Sequence, residues 1–123
     1  MKKFNSIYLL ILLASVILTS CGGASPDDYT IEDVKSTCDC VKVKTEIQKN
    51  QNDLLEAEKD TVKRKELQDS EEYEKWSSKK MEIMKHCNKN FDDKLDEVKK
   101  CPEFDAMMKE LDRDHELYQS DFN

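Results

Sequence analysis

Residues that break helices are nearly absent from this chain. Its 123 residues hold two glycines and two prolines, which the sequence places at Gly22, Gly23, Pro26 and Pro102. A β-rich fold needs many turn residues and a phosphate-binding loop needs several glycines, so neither fits this pattern. The sequence therefore predicts an all-α domain over residues 30–119, between a flexible tether at residues 21–29 and a tail at residues 120–123.

Apolar residues recur at helical spacing along two long segments. Thr30 is the expected N-cap of a first helix that continues to about Gln68, with an apolar stripe of Cys40, Val43, Ile47, Leu54 and Ala57. Asp69 and Glu72 form a capping-box pattern that predicts a second helix from Ser70, with a stripe of Tyr73, Trp76, Ile83, Cys87, Phe91, Leu95 and Val98. We expect a long antiparallel, coiled-coil-like helical hairpin that reverses near Asp69, although residues 48–53 and 86–90 are polar enough to open a turn.

A third, shorter helix is expected at the C-terminus. Pro102 suits its first turn, and it carries an apolar face of Phe104, Met107, Met108, Leu111 and Tyr118. On the second helix, four large residues cluster within three turns: Tyr73, Trp76, Met81 and Met84. Core packing is the favoured interpretation of this cluster, and the alternative is a groove for a partner, where aromatic and Met side chains are common.

Four cysteines follow residue 37: Cys38, Cys40, Cys87 and Cys101. In a small exported domain an even number predicts two disulfides, with three possible pairings. A hairpin that reverses near residue 69 places Cys101 level with Cys38 and Cys40, but it leaves Cys87 about 18 Å along the helix from Cys40. We therefore expect two disulfides that join the Cys38/Cys40 segment to Cys87 and Cys101, with a bend in a helix near Gln51 or Asn88. Without such a bend, Cys87 stays reduced and another pairing prevails.

The N-terminal residues have the pattern of a secretory signal. Lys2 and Lys3 precede an apolar run at residues 7–18, which is too short to span a bilayer comfortably. The sequence Leu18-Thr19-Ser20-Cys21 then resembles the lipobox of bacterial lipoprotein precursors. The resemblance implies that residues 1–20 are a signal peptide, that Cys21 carries a diacylglycerol with palmitate-type acyl chains, and that the lipid holds the protein to a membrane. Gly22 after this cysteine favours the outer membrane, with the periplasmic or surface leaflet left open.

The charge of the chain limits its partners. Without residues 1–20, which contain Lys2 and Lys3, 18 basic residues face 27 acids, for a net charge of −9. Such a surface repels nucleic acid and anionic headgroups, so no nucleic-acid partner is expected and the lipid is the membrane contact. No catalytic motif occurs, and we expect no enzyme activity and no cofactor. A thiol-based metal or redox site would draw on the four cysteines with His86 and His115, but paired zinc spacing is absent, so no metal is expected.

These observations together predict a membrane-anchored bacterial lipoprotein that acts as a protein-binding module of the cell envelope. Its acidic helices favour a basic envelope or secreted protein as partner. Two alternatives remain at this point: a structural envelope tether, whose usual C-terminal lysine is replaced here by Asn123, and a thiol-based metal or redox protein.

Overall fold

A computed structural model describes residues 24–91 and 94–120, and within these residues every regular element is helical. Two 3-10 turns, Pro26–Asp28 and Ile31–Asp33, precede five helices: α1 Thr37–Ala57, α2 Thr61–Gln68, α3 Glu71–Asn90, α4 Leu95–Val98 and α5 Phe104–Ser120. Two disulfides join them. The predicted disulfide-bonded all-α fold is confirmed. The expected signal peptide, Cys21 and residues 121–123 lie outside the described residues.

The first long helix is shorter at both ends than the sequence suggested. Thr30 does not cap it, because this residue precedes only a 3-10 turn. The N-cap is Ser36, whose Oγ accepts a hydrogen bond of 3.0 Å from the Asp39 amide. The predicted continuation to Gln68 is also wrong, since α1 ends at Ala57 and Asp60 caps a new helix by accepting from the Val62 amide at 2.9 Å.

The boundaries of the later helices also differ. Ser70, rather than Asp69, is the N-cap of α3, because its Oγ accepts from the Tyr73 amide at 3.3 Å. The second apolar stripe predicted one helix to Val98, but α3 ends at Asn90 and the separate short helix α4 contains Val98. Pro102 lies in the turn before α5 rather than inside its first turn.

Helix α3 runs antiparallel to α1 in a register that explains the disulfides. Gln51 Nε2 donates to Ser77 Oγ at 2.9 Å, and Cys40 bonds Cys87 with a Cα–Cα distance of 6.0 Å. These pairs centre the reversal near residue 64, inside α2, rather than near Asp69. Cys87 is therefore already level with Cys40, and the expected bend at Gln51 is wrong because α1 is continuous there.

The second disulfide closes the end of the bundle opposite α2. Cys38 bonds Cys101 with a Cα–Cα distance of 5.2 Å. The chain leaves α3 at Phe91, and it returns through α4 to Cys101 and then enters α5. Helix α5 then runs in the direction of α1, so that Leu117 reaches Leu55 and Tyr73 near α2. The three long helices thus follow an up-down-up path.

The residues before α1 form a strap, which we define as residues 25–34, and this strap lies along α3. Ser25 and Asp28 form a capping box in which the Ser25 amide donates to Asp28 Oδ2 at 2.7 Å. The ring of Tyr29 lies 5.9 Å from that of Trp76, and Val34 joins the core around Trp76. Part of the segment expected as a flexible tether, residues 21–29, is therefore structured and adds a layer to the core.

Candidate functional site

Helix α5 attaches to α1 through polar side chains. Asn52 is 0% exposed, and its Nδ2 donates to both the backbone oxygen and Oε2 of Glu110, each at 3.0 Å. Arg113 donates to Glu110 Oε2 at 3.1 Å and to Asp53 Oδ1 at 2.7 Å, and it also contacts Glu56. Partial burial of the Asp53 carboxylate acts to raise its pKa. Hydrogen bonds from Lys49 and Arg113 outweigh this effect and hold the pKa of Asp53 below its ordinary value. The middle of the contact between α5 and α1 is therefore polar and ionic.

The apolar face of α5 is consequently left open to solvent. Met108, Leu111 and Tyr118 are 42%, 48% and 39% exposed, while Glu110, at the edge of the stripe facing α1, is 6% exposed. This is the apolar face that the sequence predicted for α5. An apolar helix face commonly packs on a neighbouring helix, but these three side chains do not. Pairing of Glu110 and Arg113 with α1 fixes the rotation of the helix and turns the stripe outward.

A groove runs between α3 and α5, which we call the methionine groove. Both helices pack on α1, but they have few contacts with each other apart from the end near α2, where Tyr73 and Leu117 meet. Two adjoining cavities of about 310 and 330 Å³ follow the groove and share Gln48, Lys80 and Met84. Its apolar lining is Met81 and Met84 from α3, and Met107, Leu111 and Tyr118 from α5. Polar and charged side chains line it as well: Lys44, Thr45, Gln48, Gln51, Ser77, Lys80, Glu110 and Asp114.

The methionines of the chain concentrate at this groove. The sequence contains five, and apart from Met1 they are Met81, Met84, Met107 and Met108. The first three line the cavities, and Met108 lies next to Met107 on the exposed rim. Three of the five methionines of the chain thus line one groove, beside charged and polar residues. Met81 and Met84 therefore line a groove, which is the alternative interpretation given above, and do not belong to the core.

A lysine and an aspartate lie at the base of the groove, on either side of Gln48. Lys80 Nζ donates to Gln48 Oε1 from α1, and Asp114 on α5 faces the same lysine. Burial lowers the pKa of Lys80, and burial raises the pKa of Asp114 although Lys80 and Gln48 act in the opposite direction. Gln48 thus links Lys80 on α3 and Asp114 on α5 to α1 and joins the three long helices beneath the methionines.

The other candidate residues of the sequence have structural partners. All four cysteines after residue 37 are in disulfides, and a metal or redox role would need them reduced. His86 Nε2 lies 3.2 Å from the Val34 oxygen, and His115 on α5 lies 2.8 Å from Gln119. Across residues 24–91 and 94–120, no three His, Cys, Asp or Glu residues come together in a way that could hold a metal ion. The expected site residue Cys21 is outside this part of the chain.

The architecture defines an all-α, disulfide-bonded bundle with an open apolar groove. No protein-family model matches the chain, and neither curated proteins nor solved structures give a match to it. None of the helices in the described part of the chain has the length and apolar character needed to cross a membrane. Function must therefore be inferred from the groove itself.

Proposed function

We propose that this protein is a lipid-anchored module of the bacterial envelope that binds another protein in the methionine groove. The observation that carries the proposal is the row of exposed Met, Leu and Tyr side chains between α3 and α5 in an otherwise highly charged chain. Contiguous exposed apolar surface is characteristic of interaction sites. Methionine suits such a site because its flexible, polarisable side chain adapts to the surface that it meets.

The fold supports binding rather than catalysis. Two disulfides and the Asn52–Glu110–Arg113 network hold the walls in place before any partner arrives. A preformed groove lowers the entropy lost on association, and more of the contact free energy then remains as affinity. The titratable groups at the base, Lys80 and Asp114, interact with Gln48 of α1, which suits a structural role under a docked partner.

The anchor is proposed from the sequence Leu18-Thr19-Ser20-Cys21. Lipid on Cys21 places the module at an envelope membrane, which we propose is the outer membrane. Stable anchoring needs more than one acyl chain, and the diacylglycerol modification supplies two. The strap begins at Ser25, so the lipid and the folded domain are close along the chain.

Site-specific photocrosslinking in cells tests the proposal. A photoreactive residue replaces Met108 on the groove rim, and in a matched control it replaces Val62, which is 65% exposed on α2, outside the groove. We expect a discrete crosslinked protein from position 108 that is absent from position 62. Adding Met84→Glu or Leu111→Glu should abolish the crosslink, while adding Leu95→Glu, at an exposed site on α4, should not. Equal crosslinking in the presence of either groove substitution would contradict the proposal.

A further inference from the structure

Two lysines line one of the two cavities of the methionine groove. We propose that this cavity, of about 310 Å³, binds a small amphipathic anion whose carboxylate lies between Lys44 and Lys80. The apolar chain of the ligand then lies against the apolar lining of the same cavity, which is Met84, Met107 and Leu111. This site is independent of the proposed protein-binding function, because it takes a small molecule and needs only residues of this chain.

The two lysines lack an ion-pair partner. Both side chains are half-buried, whereas lysine is mostly exposed in proteins. Lys80 Nζ donates to Gln48 Oε1, a neutral oxygen, although an ammonium group has three donors. Across residues 24–91 and 94–120, no Asp or Glu oxygen lies within 4 Å of the Nζ atom of Lys44 or Lys80. Both ammonium groups can therefore accept a further anionic partner.

The acids that line the groove already have partners of their own. Glu110 lines the same cavity, but its Oε2 accepts from Asn52 at 3.0 Å and from Arg113 at 3.1 Å. Asp114 lines the adjoining cavity rather than this one, and it accepts a hydrogen bond from Gln48. These contacts direct both carboxylates toward α1 and α5 rather than toward the two lysines.

The positive charge at this site is only partly compensated. Burial lowers the pKa of Lys80, the charge of Asp114 acts to raise it, and the charge of Lys44 acts to lower it. The last effect means that the two ammonium groups are close enough to repel each other. A carboxylate that accepts from both lysines would replace this repulsion with two charge-assisted hydrogen bonds.

The rest of the cavity suits a short apolar chain. Ligand pockets are typically about 300–1,000 Å³ and are lined mainly by apolar side chains, with a few polar groups that fix the orientation of the ligand. A cavity of about 310 Å³ lies at the lower end of this range, so it fits one head group with a short chain better than a large cofactor. The flexible side chains of Met84 and Met107 can adapt to the shape of that chain.

Ligands of other charge fit the two lysines less well. A cationic ligand would add a third positive charge beside Lys44 and Lys80. A neutral apolar ligand would remove water from both ammonium groups without supplying a counter-charge, which is costly. An anionic head group avoids both costs.

Methionine methyl NMR with three probes tests the proposal. The probes are decanoate, decanol and decyltrimethylammonium, which share one alkyl chain and differ in the charge of the head group, and each is used below the concentration at which it forms micelles. The protein is the oxidised chain from residue 21 with Cys21→Ser, which contains every described helix and both disulfides. Its methionines carry ¹³C at the methyl group, so that Met84 and Met107 report from the cavity and Met108 from the exposed rim.

We expect decanoate to shift the methyl signals of Met84 and Met107 more than that of Met108. At low salt it should bind about tenfold more tightly than decyltrimethylammonium, with decanol between them. The difference should shrink as salt is added, because the ions screen the charges of the two lysines.

Lysine variants test the position of the head group. Lys44→Gln and Lys80→Gln should each weaken the binding of decanoate about tenfold, because each removes a charged hydrogen-bond donor. Lys109→Gln, which removes an exposed lysine outside the cavity, should leave the affinity unchanged. Urea unfolding of each variant verifies that the fold is retained.

Several results would overturn the site. Equal binding of the cationic probe, or unchanged affinity for decanoate in both cavity variants, would mean that apolar contact alone governs binding. Absence of shifts with every probe would mean that the cavity takes no such ligand. Shifts that grow with protein concentration without any probe would identify a second copy of this chain as the occupant. The crosslink in cells is a separate measurement, so this site and the proposed function can fail independently.

Discussion

Reduction of the two disulfides should destabilise the bundle by an amount that depends on their nesting. The Cys38–Cys101 bond spans 63 residues and encloses the Cys40–Cys87 bond, which spans 47. Taken alone, each closes a loop whose entropy in the unfolded chain corresponds to about 4 kcal/mol. With Cys40–Cys87 already formed, however, the outer bond closes only the two short arcs 38–40 and 87–101, about 16 residues in total, and contributes about 3 kcal/mol. Both bonds together should therefore contribute about 7 kcal/mol.

Three proteins are compared to measure these contributions. The parent is the chain from residue 21 with Cys21→Ser, and the two variants add Cys40→Ala/Cys87→Ala or Cys38→Ala/Cys101→Ala. Each is unfolded in urea with and without a reducing agent, and helix content is followed by circular dichroism. Because each protein is compared with itself, the cavities left by alanine cancel. We expect reduction to remove about 7 kcal/mol from the parent and about 4 kcal/mol from each variant.

A small domain has a total stability of only about 5–15 kcal/mol, so the reduced parent should lose most of its helical signal at 37 °C. The reasoning would be refuted if reduction lowered the free energy of unfolding of the parent by less than about 1 kcal/mol. It would also be refuted if reduction affected the parent no more than it affects the single-bond variants, since one bond would then contribute nothing.

Three other substitutions test separate parts of the structure. Asn52→Ala should lower the free energy of unfolding by about 2–3 kcal/mol in urea, because it removes the hydrogen bonds of a fully buried amide to Glu110 and leaves Gln48 Nε2 without its acceptor. Ser70→Ala should cost about 1 kcal/mol in the same assay and Asp69→Ala much less, because Ser70 is the N-cap of α3. Lys80→Met should raise the pKa of Asp114 further above its ordinary value, because the lysine charge lowers this pKa. Carboxyl NMR titration would measure the change. The stability that protonated Asp114 contributes would then be lost at a higher pH as the pH rises.

The helical class was predictable because it follows from composition and local spacing. Few breakers and two apolar stripes indicate α1 and α3 directly, and the even number of cysteines indicates the disulfides. The breaks at residues 58–60 and at Phe91 were not predictable in the same way. Neither contains Gly or Pro. At the first break Arg64 donates to the Leu55 and Glu58 oxygens across the turn, and after the second the chain returns so that Cys101 bonds Cys38.

The polar middle of α1 shows most clearly what local patterns miss. The segment from Gln48 to Asp53 has the composition of a turn, but its amides lie between helices and bond to α3 and α5. This layer can be recognised only once it is known that Glu110 and Arg113, about 60 positions later in the chain, face it. Since that pairing sets the rotation of α5, the exposed methionine groove could not be deduced from the stripe on α5 alone.

The strap also determines how far the bundle can stand from a bilayer. Ala24 lies beside Ser70 and Glu71, at the end of the bundle where α2 is found, and only Gly22 and Gly23 separate it from Cys21. The three Cα–Cα steps from Cys21 to Ala24 span at most about 11 Å. With lipid on Cys21, the α2 end would therefore rest near the headgroups, and α1, about 31 Å long, would carry both disulfides to the distal tip. The acyl chains would then act as a short pivot. The groove between α3 and α5 would run along the membrane normal, and a partner would approach it from the side.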